Sequence, residues 1–278
     1  SKAMAGVGVI FYLLLALRAR LGASADLASL LDLVAVGTVA DMVALDANNR
    51  ALVGAGLRRL RAGQGCAGRR ALIDVSGRRE ATLSTADIGF AIGPRINAAG
   101  RLEDMGIGIE CLLSDDVGHA RQLASVLHGI NEERRAVQAD MQDVAEARLD
   151  GVGQDAPAAC LFDEDWHPGV VGLVASKLKE RLHRPAIAFA PVEPGGAALR
   201  GSARSIPGFH VRDALALVDA RHPGLIDRFG GHAMAAGLSL QVEAFPAFCD
   251  AFLQVASDWL TDDLLTDVLR SDGALADA

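Results

Sequence analysis

The sequence predicts an α/β protein in which a helical first half is joined by one long helix to a smaller α/β second half. Three observations predict this. Apolar residues recur at steps of three and four through the first part of the chain, the spacing of amphipathic helices. Residues 116–149 keep that spacing longest, with Leu123, Leu127, Ile130, Val137, Met141 and Val144 on one side and NEERR (131–135) on the exposed face. After residue 156, apolar runs of strand length (ACLF, AIAFA) alternate with helical segments and glycine-rich turns.

Taken in order, residues 3–20 read as a helix. Lys2, the run AMAGVGVIFYLLLAL and ASA at 23–25 together imitate a signal peptide. The run has 15 residues, short for a membrane span. Arg18 and Arg20 also separate it from the supposed cleavage site, so a buried helix is expected. The absence of an initiator Met suggests a chain that begins inside a longer protein. From residue 26, Leu27, Leu31, Val34, Thr38, Asp41 and Leu45 alternate steps of four and three, which places Asp41 on a buried stripe. NRALVGAGLRRLR (49–61) predicts an amphipathic helix, ended by GQGCAG. DIGFAIGPRINAAGRLEDMG (87–106) is punctuated like a loop between helices. Beyond the long helix, GVGQDAP reads as a linker. ACLF predicts a strand, DEDWHPG a loop, VVGLVASKLKERL a helix, AIAFA a strand and PVEPGG a hairpin, after which a strand runs into GSARS. A helix near 210–220 leads to RFGGHAMAAGLSL, and a last helix covers 244–260.

Composition bounds the function. With 51% hydrophobic and 22% charged residues the chain is globular, and an aromatic share of 4% excludes base stacking as the main means of holding nucleic acid. The net charge of −8 argues against a polyanionic ligand until its distribution is considered. Residues 241–278 hold eight acids against one base, Arg270, which leaves −1 for the first 240 residues and room for basic patches. Four scattered cysteines without a CxxC pair suggest neither a disulfide framework nor a zinc knuckle, and fit a reducing cytoplasm. No HExxH, P-loop or GxSxG is present, so zincin, NTPase and serine-hydrolase chemistry lack support.

Five stretches could carry chemistry. A buried Asp41 needs compensation, either from a cap or salt bridge or from Mg²⁺ or Mn²⁺, which favour carboxylate ligands. GPRINAAGR (93–101) sets Arg95 and Arg101 about Asn97, guanidinium groups suited to phosphate or to the nearby Glu103 and Asp104. WHPGVVG (166–172) places His167 before a proline at a first helical turn, an anion site or an ordinary cap. GSARS (201–205) spaces Ser202, Arg204 and Ser205 as a phosphate anchor or as plain polar surface. FGGHAMAAG (229–237) crowds Gly230, Gly231 and other small residues around His232, a ligand contact or a structural histidine. The other histidines, His119, His128, His183, His210 and His222, read as solvated or packing residues.

In this order GTVADMV, GPRINAAGR, WHPGVVGLVASKL, GSARSI and FGGHAMAAG closely resemble the RecJ family of single-strand-specific exonucleases, in the DHH/DHHA1 phosphoesterase superfamily. The resemblance covers nearly all of residues 1–258. It implies that residues 1–113 are the C-terminal part of a DHH domain and 114–155 a connecting long helix and linker. Residues 156–258 would form a DHHA1 domain, and 259–278 a tail at the possible start of an OB-fold. It further implies 5′→3′ hydrolysis of single-stranded DNA in repair and recombination, in a cleft that admits a single strand and not a duplex. The cofactors would be two Mn²⁺ or Mg²⁺ ions.

By motif, Asp41 matches the last metal-binding aspartate, and Arg95, Asn97 and Arg101 a loop facing the cleft. Ser202 and Arg204, with Ser205 beside them, match the holder of the 5′-phosphate. His167 matches the HPG loop, and Gly230, Gly231 and His232 the GGH signature, with His232 catalytic. The family also implies a cytoplasmic monomer, no membrane, and a single-strand-binding protein or helicase as protein partners. Ala44 departs from the family's usual proline. The Asp-His-His triplet is nowhere in this sequence and would lie before Ser1, so the chain alone is expected to be inactive. Two alternatives stay open: a DHH/DHHA1 phosphodiesterase for oligonucleotides or cyclic dinucleotides, and a non-catalytic single-strand-binding module.

Overall fold

A computed structural model describes residues 2–149, 156–267 and 273. The chain forms two compact units, Ser1–Arg135 and Ala136–Ala278, and the division falls inside one helix. Among the described residues, no helix is long and apolar enough to cross a membrane.

The described residues of the first unit are helical. Helix α1 (Gly6–Leu21) stops at Gly22, which takes a left-handed φ of 62° so that the next amides can reach back to Ala19 and Arg18. The expected burial of this helix is corrected, because only Gly8 and Phe11 within it are buried. Val9, Ile10, Leu13, Leu17 and Leu21 are exposed. The run is apolar all round, and only one side of it finds cover on α2 (Leu31–Ala40). Next comes α3 (Ala47–Arg61), capped by Asp46. Helix α4 (Ala67–Val75) begins inside the glycine-rich break and has no counterpart in the sequence reading.

Glycines here permit backbones to touch. A Cβ at Gly56 would lie 2.1 Å from the Leu31 carbonyl oxygen, and one at Gly68 only 1.5 Å from that of Cys111. Gly68→Ala must therefore push α4 away from α7, and should cost about 1–3 kcal/mol. Urea unfolding of the variant checks this.

The segment expected as a loop at 87–106 is mostly helix. Ser84 and Asp87 form a capping box for α5 (Thr85–Asp87), a wide π turn follows at Ile88–Ile92, and α6 (Gly93–Leu102) continues from it. Pro94 stands in the first turn of α6, where its missing N–H costs nothing. Gly93 lies against Ala40, to which a Cβ would approach within 3.2 Å. Helices α7 (Met105–Leu113) and α8 (Val117–Leu149) complete this part. Along α8 the buried side contains Leu127, Ile130, Met141 and Ala145, whereas Val144, expected there, is exposed.

The second unit contains β1 (Ala159–Phe162), α9 (Val171–Leu182), β2 (Ala186–Pro191), β3 (Ala198–Arg204), α10 (Val211–Arg221), β4 (Arg228–Gly231), β5 (Ala235–Gln241), α11 (Phe245–Trp259) and α12 (Asp262–Leu265). The sheet order is β1-β2-β3-β5-β4. Only β1 and β2 are parallel, joined by the α9 crossover, and the remaining pairs are antiparallel. One face carries Ile187, Phe189, Leu199, Ala203, Leu238 and Leu240, packed with Leu215, Val218, Phe248 and Phe252 of α10 and α11. Alternation sends Arg200, Ser202, Arg204, Gly237 and Ser239 to the opposite face. Helix α9 covers that face mainly over β2 and β3. The expected linker at 150–155 lies outside the described residues, as does most of the tail in which an OB-fold was expected to start.

Candidate functional site

In the second unit, three of the singled-out stretches converge. The loop before α9 is held by His167, whose carbonyl accepts from the Val170 and Val171 amides at 3.0 and 3.3 Å. Its Nδ1 accepts from the Gly169 amide at 3.0 Å. Pro168 therefore sits in the turn ahead of α9 and not in its first helical turn. The α9 N-cap is Val170, which offers no side-chain oxygen to the first-turn amides. Against that turn lie Ser202 and Arg204, with Arg204 Nη1 donating to Ser202 Oγ at 2.8 Å. A Cβ at Gly172 would lie 2.9 Å from Arg204 Nη2 and 3.0 Å from Ser202 Oγ, so this glycine lets the helix start close against the pair. A guanidinium, a hydroxyl and a helix N-terminus without a side-chain cap lie together here, and each is a group that favours an anion.

The glycine–histidine stretch joins the same strands. Ser202 pairs with Gly237, Gly237 with Gly230, and Arg204 with Ala235. Gly231 has a φ of 148°, and a Cβ there would lie 2.5 Å from both the Ala235 oxygen and the Ala236 Cα, so only glycine fits the turn. The turn is closed by the His232 amide, which donates to Ala235 O at 2.8 Å and leaves the imidazole exposed. Ser205 is corrected. It is buried, with Oγ donating to Phe209 O at 2.6 Å, and so is absent from the face shared by Ser202 and Arg204. Alternation along β3 already turns the residue after Arg204 away from that face, and the strand ends there.

In the first unit, α6 presents Asn97 to solvent and buries Arg95, which remains 8% exposed and donates from Nη1 to Ala91 O at 2.6 Å. Burial and then the neighbouring Arg135 pull Arg95 below the usual arginine range. Arg101 is lowered by burial, and Arg134 by burial and then by Arg135 and Arg101. Arg135 thus disfavours the charge on both Arg95 and Arg134, while Glu132 partly offsets it at Arg95. Arg134 was not read from the sequence, where NEERR resembled a solvated face. Its mark is buried Asn131, which accepts from Arg134 Nη2 at 2.8 Å.

Asp41 is not buried. Helix α2 ends at Ala40, and Asp41 is its exposed C-cap, followed by Met42 in a left-handed conformation with φ 54°. The buried carboxylate of α2 is Asp32, fully enclosed and 2.9 Å from Arg69 Nε. Four of the remaining histidines lie beside carboxylates, the nearest being His119 with Glu110 at 2.7 Å.

The DHHA1 domain family matches residues 155–258. Over the whole chain, similarity runs to single-stranded-DNA-specific exonucleases RecJ. That of Dickeya dadantii is 51% identical over 290 residues, covering 99% of this chain and 50% of the relative. That of Escherichia coli is 48% identical, covering 100% and 50%. RecJ of Thermus thermophilus, solved in complex with Mn²⁺, superposes with a TM-score of 0.78 at 35% identity, over 91% of this chain and 36% of that one. This chain belongs to the RecJ family. It spans about half the length of the curated relatives it matches. The solved RecJ structures include complexes with Mn²⁺ and with Mg²⁺. In this RecJ-family chain, no three His, Cys, Asp or Glu side chains among the described residues are grouped to hold a metal. Asp41 is a single donor, and the described residues do not make a divalent-ion site by themselves.

Proposed function

We propose that this chain is the strand-holding part of a single-strand-specific 5′→3′ exodeoxyribonuclease, acting in the cytoplasm in DNA repair and recombination. The observation that carries the reading is the contact of Gly172 with Ser202 and Arg204. It joins a helix N-terminus to a hydroxyl–guanidinium pair where a terminal phosphate would be held. His167 shapes the loop ahead of that helix, and Gly230, Gly231 and His232 border the same strands. His232, exposed beside the phosphate position, is suited to contact the reacting end. In the first unit, half-buried Arg101 and Arg134 and exposed Asn97 supply a second polar, cationic surface, and buried Arg95 adds positive charge from within.

Asp41 would give one carboxylate to a pair of Mn²⁺ or Mg²⁺ ions whose other ligands come from outside this sequence. Its position supports the role. A carboxylate at a helix C-terminus opposes the helix dipole, and Asp41 makes no ion pair among the described residues, so a cation would relieve it. When bound, such ions supply an activated water and charge stabilisation for phosphodiester hydrolysis.

Two measurements test the proposal. Anisotropy titrations should find that the 278-residue chain binds 5′-phosphorylated single strands more tightly than 5′-hydroxyl strands. Equal affinity would overturn the phosphate assignment. The same chain with Mn²⁺ should not degrade single-stranded DNA, and robust degradation would show that the metal ligands are present after all.

A further inference from the structure

We infer that the open face of the β3–β5–β4 ribbon holds a second phosphate subsite, formed by Arg200 and Arg228 on either side of Ser239, which seats the next phosphate of a single strand whose end lies at Ser202 and Arg204. The inference deepens the proposed function and rests on it for the identity of the ligand.

The register places these residues. Arg200 pairs with Ser239, and Ser239 pairs with Arg228, so the three lie on one rung across the sheet. Ser202, Gly237 and Gly230 form the neighbouring rung on the same face. Rungs two residues apart are separated by about 6.6–6.8 Å, near the separation of successive phosphates in an extended, unstacked strand. The two arginines stand about 10 Å apart, with one strand between them, so a phosphate over Ser239 is within reach of both side chains.

Three further observations favour a ligand over idle surface. Both arginines are exposed, and neither forms an ion pair among the described residues. Asp227, the acid adjacent in sequence to Arg228, is engaged with the Gln241 amide at 2.8 Å. The floor between the subsites is also bare for no internal reason. A Cβ at Gly230 would meet nothing within 4 Å, and one at Gly237 only the Gly201 oxygen at 3.9 Å. Packing does not demand glycine at either position, whereas a polymer lying on the sheet would. Helix α9 packs over β2 and β3 and makes no comparable contact with β5 or β4.

The test is anisotropy of the 278-residue chain with a short 5′-phosphorylated oligothymidylate over a range of salt, with thymidine 5′-monophosphate as competitor. The double variant R200A/R228A should lose at least tenfold in oligonucleotide affinity. Its salt slope should fall by about 0.7 for each phosphate contact removed. Competition by the mononucleotide, which has one phosphate, should not change. Gly237→Val should melt no lower than the parent and yet bind the oligonucleotide at least tenfold more weakly. If the parent chain binds with 5′-phosphate dependence but both variants match it in affinity and slope, the second subsite is wrong and the proposed function stands. If the parent chain binds no single strand, both fall.

Discussion

Replacing Arg204 with alanine should weaken binding of a 5′-phosphorylated single strand by about 1.5–3 kcal/mol, the usual worth of hydrogen bonds to a charged group, or roughly tenfold to a hundredfold. The loss should be confined to the phosphorylated end, so a 5′-hydroxyl strand should bind variant and parent alike. Ser202→Ala should have a smaller effect, because it removes the hydroxyl that Arg204 Nη1 donates to but leaves the charge. Gly172→Ala separates the phosphate site from the fold. Its methyl would approach the movable Arg204 and Ser202 side chains at 2.9 and 3.0 Å, and the next atom, Arg204 Cζ at 3.7 Å, is also side chain, so the protein can relax around it. The guanidinium would then move off the helix N-terminus, and phosphate preference should fall with little change in melting temperature. A Gly172→Ala variant that keeps the full preference would mean that the anion is held elsewhere.

The parts of this chain legible in the sequence are those where one face of an element is wet. Helices α3, α9 and α11 read correctly because their apolar stripes contrast with charged residues. Helix α2 did not. Its buried residues, Asp32, Val34, Ala35, Val36 and Thr38, lie all round the helix, so the spacing that put Asp41 on a stripe carried no direction. Asp41 is exposed because the helix ends one residue before it, a boundary that periodicity does not mark. The β4–β5 hairpin was missed because glycine, alanine and serine alternate with little hydrophobic contrast. Glycine misled in the opposite direction at 87–106, where it serves close packing of helices and not turning of the chain. Within the candidate site, Ser202, Arg204 and the GGH turn were legible because their chemistry is compact in sequence. Arg134 was not, because it reaches Arg101 only through the packing of α8 on the rest of its unit.

Removing Arg69 should destabilise the first unit by about 3–5 kcal/mol, the cost of leaving a buried charge without its counter-ion. Asp32 is fully enclosed, and Arg69 Nε lies 2.9 Å from its carboxylate. The pair ties α4 to α2, the helix that ends at Asp41. Arg69→Met keeps most of the side-chain volume and should still unfold at much lower urea, because volume is not what Asp32 lacks. Adding Asp32→Leu to Arg69→Met should recover most of the loss, since an apolar pair of similar size removes the unpaired charge together with its desolvation cost. Recovery by the double variant distinguishes a charge requirement from simple packing. If Arg69→Met alone were neutral, Asp32 would have to find compensation elsewhere. The same series bears on function, because the charge-neutral double variant restores the stability of α2 without restoring the original ion pair. Amide exchange at Val39 and Ala40 should quicken in Arg69→Met and return towards the parent rate in the double variant, as it would if this pair holds in place the helix end from which Asp41 projects.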